Sequence, residues 1–423
     1  MPKEISHWLL AQETARRLPD GLIRESIEGY PDLYELGAVV FDSSFYAVMY
    51  PNAPEALEAG LRLHGSKGED TYEPLRGLLA RELAEDPAYE DLRGGEDASR
   101  QGREGASDRG QGGDPERGVP LPTLSFIAGC VSHIMGDTHF HPLVNFFSGE
   151  YYADDRARMD RSQKRHRRFE AALDRHLLSV SGAELRNGGS LSCTLAASTA
   201  AVGDRLEDLT AGLYYGSGGP SSPLKNPRRR HAPAFWPISA LRNLAVERLR
   251  LRFRALIWAK TPAPGSTRVF QRTASRPAMI PLLRRHAAIQ KLFASSMAAS
   301  LARPIGGLLG GGAASVAAAF YTADPPGGYA LFQGPIDYRH PNTGEERRES
   351  VGELLDRAVS AGTAVLGALT RWAQSMDTAV DPFGGDRGVS LEVGCDFREY
   401  PNLIHTDTST PMEELLGVAR RIK

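Results

Sequence analysis

Apolar residues in this chain recur at helical spacing far more often than in alternation. Ile5, Trp8, Leu9 and Ala15 share one face of a 3.6-residue period, and Pro19-Asp20-Gly21 follows, which predicts a helix over 5–18. A second apolar run, Leu33 to Tyr50, carries Gly37, Asp42, Ser43 and Ser44 and closes at Pro51. Thr123 stands as an N-cap before Phe126, Ile127, Cys130, Val131 and Ile134, again at helical period. A long segment, Asp155–Ser179, puts Phe169, Leu173 and Leu177 on its inner side. Candidate helices also lie near Ile238–Ala259, Pro281–Ala302 and Val351–Met376. No β pattern of any length competes in the first half. The expected fold class is all-α, a multi-helix bundle followed by a further helical region, with no clear pattern in the last forty residues.

Breaks in this pattern suggest the organisation. From about Glu85 to Val119, glycine mixes with arginine and acids and few apolar residues remain. Such a stretch cannot bury enough surface to offset its chain entropy, so it reads as a disordered insertion. Residues 182–237 are rich in Gly, Ser, Ala and Pro and read as loops. The expected division is therefore a first domain over 1–180, a loop-rich linker over 181–237 and a helical region over 238–423 that is able to pack on the first. Residues 304–323 are uncharged but mostly glycine and alanine, too weakly apolar for a membrane span. The start, Met1-Pro2-Lys3-Glu4, lacks the features of a secretory signal, so the expectation is a cytoplasmic protein.

Composition narrows the chemistry. A net charge of −2 argues against a protein that coats nucleic acid. Three cysteines, Cys130, Cys193 and Cys395, lie far apart and form neither a disulfide framework nor a thiolate metal site. Any bound metal must then be held by imidazoles and carboxylates. No Gly-x-Ser-x-Gly elbow occurs, and the glycines at 306, 307 and 310–312 lack the Lys-Ser/Thr ending of a phosphate loop.

Seven of the eleven histidines fall in the first 176 residues. In His133-Ile-Met-Gly-Asp137 the two polar residues are four apart, offset by about 40° on a helix, so they project from one face. Gly129 and Gly136 nearby let another element come close. His166-Arg-Arg-Phe-Glu170 repeats the spacing, with Asp174 one turn further. Arg165, Arg167 and Arg168 also fit a solvated charged face there. His141 lies about 80° from His133 on the same helix, whereas His139 is on the far side. Pro142 disfavours helix at His141, so an end or bend is expected. His141 is the better ligand candidate. Imidazoles and carboxylates without thiolates suit catalytic zinc, and several such ions suit phosphoester hydrolysis.

These pieces together resemble the bacterial zinc-dependent phospholipases C and, more distantly, glycosylphosphatidylinositol-specific phospholipase D. The resemblance runs over about residues 1–180, through Ile5-Ser-His7-Trp8, Gly37–Tyr46, His64-Gly with Glu69-Asp70-Thr71, Gly129–Asp137, His141-Pro142 and His166-x-x-x-Glu170. It implies a helical fold around two to three zinc ions. Asp42, His64, His133 and Asp137 would hold one metal, and His141, His166 and Glu170 another. Asp137 would bridge, with His7 completing a site it shares. Asp42 is also the implied general base. Secreted relatives use the backbone of a processed N-terminal tryptophan as a ligand, whereas Trp8 is internal here.

The implied reaction is hydrolysis of a phospholipid on the glycerol side, releasing diacylglycerol and a phosphorylated headgroup. A single-strand nuclease or nucleotidase with the same metal cluster is the alternative enzyme, and a non-catalytic metal-binding, membrane-associated protein is the alternative class. Residues 225–260 combine ten Lys or Arg with one acid, Glu247, among interleaved leucines and aromatics. That composition fits contact with an anionic membrane surface, and equally a core helix with a solvated arginine face. His286, His340 and His405 carry no spacing argument.

Overall fold

The computed structural model describes residues 4–46, 53–66, 68–84, 118–215 apart from 152, 154 and 183, 279–294, and 328–417 apart from 376, 378, 386, 387, 392, 393 and 395–402. The chain folds as α1 (Glu4–Arg17), α2 (Leu22–Gly29), α3 (Pro31–Val40), a 3-10 turn (Phe41–Tyr46), α4 (Ala53–Leu63) and α5 (Glu73–Ala84). After these come α6 (Leu121–Ser148), α7 (Arg156–Ser181), α8 (Leu191–Val202), α9 (Arg205–Tyr215) and α10 (Met279–Ala294). A two-stranded antiparallel hairpin, β1 (Ile336–Arg339) and β2 (Glu346–Glu349), precedes α11 (Val351–Ser375) and the short α12 (Met412–Leu415). The all-α expectation holds.

Helix α6 is the axis of the bundle, buried along almost its whole length. Its closest neighbour is α3, and two glycines make the crossing possible. A Cβ on Gly37 would lie 2.2 Å from the Phe126 carbonyl oxygen, and one on Gly129 would lie 2.0 Å from that of Tyr34. The two backbones touch where any side chain would hold them apart, so the glycine expectation at Gly129 is met. Around the crossing, Trp8, Leu36, Phe41, Phe126 and Ile127 form the main apolar core, joined by Leu282 and Leu283 of α10 and Leu366 and Trp372 of α11. A second cluster joins Leu143 and Phe147 of α6 to Phe169, Leu173 and Leu177 of α7, with Phe332 and Leu354 on its other side.

Three local expectations need correction. Helix α6 begins at Leu121, with Pro120 at the cap position and Pro122 in the first turn; Thr123 is already inside the helix and its hydroxyl donates to Glu82 Oε2 at 3.1 Å. Pro142 does not end the helix, which runs on to Ser148. One lost backbone bond costs less than unburying Leu143, Val144 and Phe147. The stretch from 182 onward contains α8 and α9, where loops were expected. Its alanines are strong helix formers, and Leu191, Leu195, Leu206 and Leu209 reach the core.

The turn of the β1–β2 hairpin begins at His340. That residue is buried, and its Nδ1 accepts the Thr343 amide at 3.1 Å. The insertion at 85–117, the helix expected near 238–259, the basic stretch 225–260 and the glycine-rich stretch 304–323 lie outside the described residues. Among the described residues no helix is long and apolar enough to cross a membrane.

Candidate metal centre

The crossing of α3 and α6 sets the first part of the site. Because Gly37 and Gly129 bring the backbones together, His133, one turn beyond Gly129, reaches the Ala38 carbonyl. Its Nδ1–H donates there at 2.9 Å. A carbonyl can only accept, so Nδ1 carries the proton and Nε2 keeps its lone pair, aimed at Asp137 Oδ2 at 3.3 Å. His64, at the end of α4, is held the same way: Nδ1–H donates to the Gly60 carbonyl at 2.7 Å. Its Nε2 faces Asp137 Oδ2 at 3.5 Å and Asp42 Oδ1 at 3.4 Å. Asp42 comes from the 3-10 turn that continues α3.

The second part is built from α6 and α7. His141 sits one turn beyond Asp137, and its Nδ1–H donates to the Leu391 carbonyl at 2.7 Å. Its Nε2 faces Asp137 Oδ1 at 3.4 Å and Glu170 Oε1 at 3.5 Å. His166 Nε2 lies 2.7 Å from Glu170 Oε1, while its Nδ1–H donates to Asn145 Oδ1 at 3.1 Å.

Asp42, His64, His133 and Asp137 thus form one group and His141, His166 and Glu170 another; within each, one donor atom per residue lies within 4.8 Å of the others. All seven are buried. Asp137 stands between them, one carboxylate oxygen turned to each side. His7 packs over Gly136, stacks on His133 with ring centroids 4.0 Å apart, and points Nε2 at Asp137 Oδ1 at 3.4 Å. His7 therefore meets the hub without belonging to either group.

The donor chemistry fits zinc. Imidazoles whose Nδ1–H is occupied by an oxygen acceptor and whose Nε2 converges on carboxylates are the arrangement in which metal-binding histidines are held. Burial pushes His133 down to about 4, aided by neighbouring His7, so the ring is neutral as ligation requires. Three carboxylates in a closed, water-poor space also need positive charge nearby. Neither described cysteine joins them: Cys130 is buried and Cys193 is exposed.

His139 points away from the site. Burial and the Arg357 charge push it down to about 4 on the opposite side of α6. Asn145 escaped the sequence reading. It holds His166 and continues the four-residue ladder His133, Asp137, His141, which was a visible signal. Asp174, one turn beyond Glu170, accepts from the Ser6 backbone amide at 3.0 Å and from its hydroxyl. Burial pushes Asp174 well above the usual carboxylate range against those bonds, with Glu4 and Glu170 adding to the rise.

Beside Asp42, the fully buried His286 of α10 pairs Nε2 with Glu4 Oε1 at 2.6 Å and Nδ1 with the Ser43 hydroxyl at 3.0 Å. Tyr46 stacks on that ring at 3.8 Å and donates to Glu4 Oε1 at 2.9 Å. Nothing in the sequence spacing connects Glu4 with His286. A small cavity beside Asp137 is lined by Ser6, His7, His141, Glu170 and Asp174 together with Leu10, Phe140 and Leu173.

The helical bundle converges buried histidines and carboxylates on one shared aspartate, as two groups able to hold metal. Residues 6–211 match the family model for zinc dependent phospholipase C. The matched stretch is just under half of the 423-residue chain and contains every residue of both groups. No curated protein and no solved structure shows a significant match to the chain.

Proposed function

We propose that the chain is a phospholipase C-type hydrolase that cleaves phospholipids on the glycerol side of the phosphate, releasing diacylglycerol and a phosphorylated headgroup. The observation that carries this reading is Asp137 between two buried ligand groups, inside a region of zinc-dependent phospholipase C type. In this reading Asp42, His64, His133 and Asp137 hold one zinc ion and His141, His166 and Glu170 hold a second. His7, with Asp137, begins a third site.

Bound zinc would supply Lewis acidity, polarising a phosphoryl oxygen and making a water acidic enough to ionise near neutral pH. The chain's own residues do the rest. The anchored imidazoles keep each Nε2 in place without reorganisation. Asp42 is the candidate general base, a carboxylate at the edge of the first group able to take the proton of an attacking water. The match of residues 6–211 to the zinc dependent phospholipase C model is what supports a lipid substrate. The basic stretch 225–260 is the candidate contact with an anionic lipid surface.

The test is product analysis on zinc-loaded protein with phosphatidylcholine in mixed micelles. The reading expects diacylglycerol and phosphocholine in equal amounts, with both lost in Asp42→Asn. Phosphatidate as the product, or cleavage of a single-stranded oligonucleotide without lipid turnover, would contradict it.

A further inference from the structure

Of the contacts that orient the metal-type ligands, one comes from far outside the matched region. The His141 ring takes its orientation from the backbone of Leu391, which lies 250 residues further along the chain. The same residue's N–H donates to the His64 carbonyl at 2.9 Å. One peptide segment therefore touches a histidine from each ligand group. We infer that residues 388–391 and Gly394 are a positioning element of the metal centre, in which the Leu391 backbone fixes the tautomer of His141 and ties it to His64. This rests on the zinc reading above.

The segment is seated to do this. The Gly388 amide donates to Asp70 Oδ1 at 2.7 Å, and the Thr71 hydroxyl donates to the Val389 carbonyl at 3.2 Å. Those partners lie six and seven residues after His64, so the Asp70-Thr71 pair singled out in the sequence acts as a mooring for this segment. Glycine is needed at both ends. A Cβ on Gly388 would lie 2.1 Å from Thr71 Oγ1 and 2.7 Å from the Thr71 amide nitrogen. Gly394 has φ +66, and a Cβ there would lie 2.1 Å from the Thr138 carbonyl oxygen.

That carbonyl belongs to the residue after Asp137, and it is the one to which Pro142, four residues on, has no N–H to donate. The proline inside α6 thus leaves a carbonyl against which a glycine backbone can lie, next to the shared aspartate. A chance packing contact would need neither the acceptor at His141 nor glycines at both moorings.

The full-length apoprotein is titrated with zinc against a chromophoric chelator in wild type, Gly394→Ala and Gly388→Ala. His166→Ala identifies which affinity belongs to the second group. Gly385→Ala serves as control: its φ of +81 imposes similar backbone strain, and open space surrounds the added methyl. The inference predicts that zinc affinity at the second group falls by about 10–100-fold in Gly394→Ala and Gly388→Ala, as removing a partner that orients a ligand does. The cobalt(II)-loaded visible spectrum of that group should change with it, while the control keeps both.

Variants that melt earlier yet hold wild-type zinc affinities and cobalt spectra would overturn the inference, leaving the segment a stability element. Should Gly394→Ala fail to fold, Gly388→Ala decides by the same criterion. Wild-type protein that takes up no zinc overturns the metal centre itself, a failure visible before any variant is compared.

Discussion

In the first ligand group each imidazole is oriented by a carbonyl from the surrounding bundle: His133 by Ala38, through the glycine crossing of α3 and α6, and His64 by Gly60 of its own helix. In the second group His141 leans on Leu391, from the C-terminal part of the chain, and His166 on the side chain of Asn145. The first group is fixed by the packing of α3 on α6 and by the last turn of α4. The second needs a distant segment and a polar side chain to be in place. The two groups share Asp137 and the same residue types, yet they should respond differently to perturbation.

The largest effect is expected where the groups meet. Asp137→Asn removes the carboxylate turned to both, and zinc content should fall at both groups, with lipid hydrolysis reduced by more than about 100-fold. A variant that kept one ion at wild-type affinity would show that the groups are independent. Gly129→Ala should act on the first group alone. Its methyl would meet the Tyr34 carbonyl, pushing α3 from α6 at a cost of about 1–3 kcal/mol, seen as a lower melting temperature and weaker zinc binding at that group.

Smaller still, Asn145→Ala removes the acceptor for His166 Nδ1–H without touching the first group. Zinc affinity at the second group should drop about tenfold, the lower end for a residue that orients a ligand. His139→Gln is the blank: the ring faces away from both groups, so zinc content should match wild type. A loss of zinc in that variant would put His139 back among the ligands.

How much of this could be read from the chain depends on how far apart the partners lie. The pairs His133/Asp137 and His166/Glu170 were legible because four-residue spacing on a helix fixes a shared face whatever the fold around it. His141 followed from the same ladder, and so should Asn145, had the ladder been carried one step further. Asp42, His64 and His7 came only with a family resemblance, since a turn, a helix end and a separate helix have no common period.

The Leu391 carbonyl was out of reach of any such reading. A backbone acceptor carries no signature of its own, and 250 residues separate it from His141. Glu4 and His286 met the same obstacle. Helices α8 and α9 were missed for another reason: alanine, serine and glycine together mimic loop composition, while tertiary burial of a few leucines makes the segment helical.

The central claim, two zinc sites joined by Asp137, is tested most directly by elemental mass spectrometry on the native protein and on His133→Ala and Glu170→Ala. The account predicts at least two zinc ions per native chain, with a different one weakened or lost in each variant. Native protein that stays metal-free after zinc is supplied would contradict it and leave a helical bundle without the proposed chemistry.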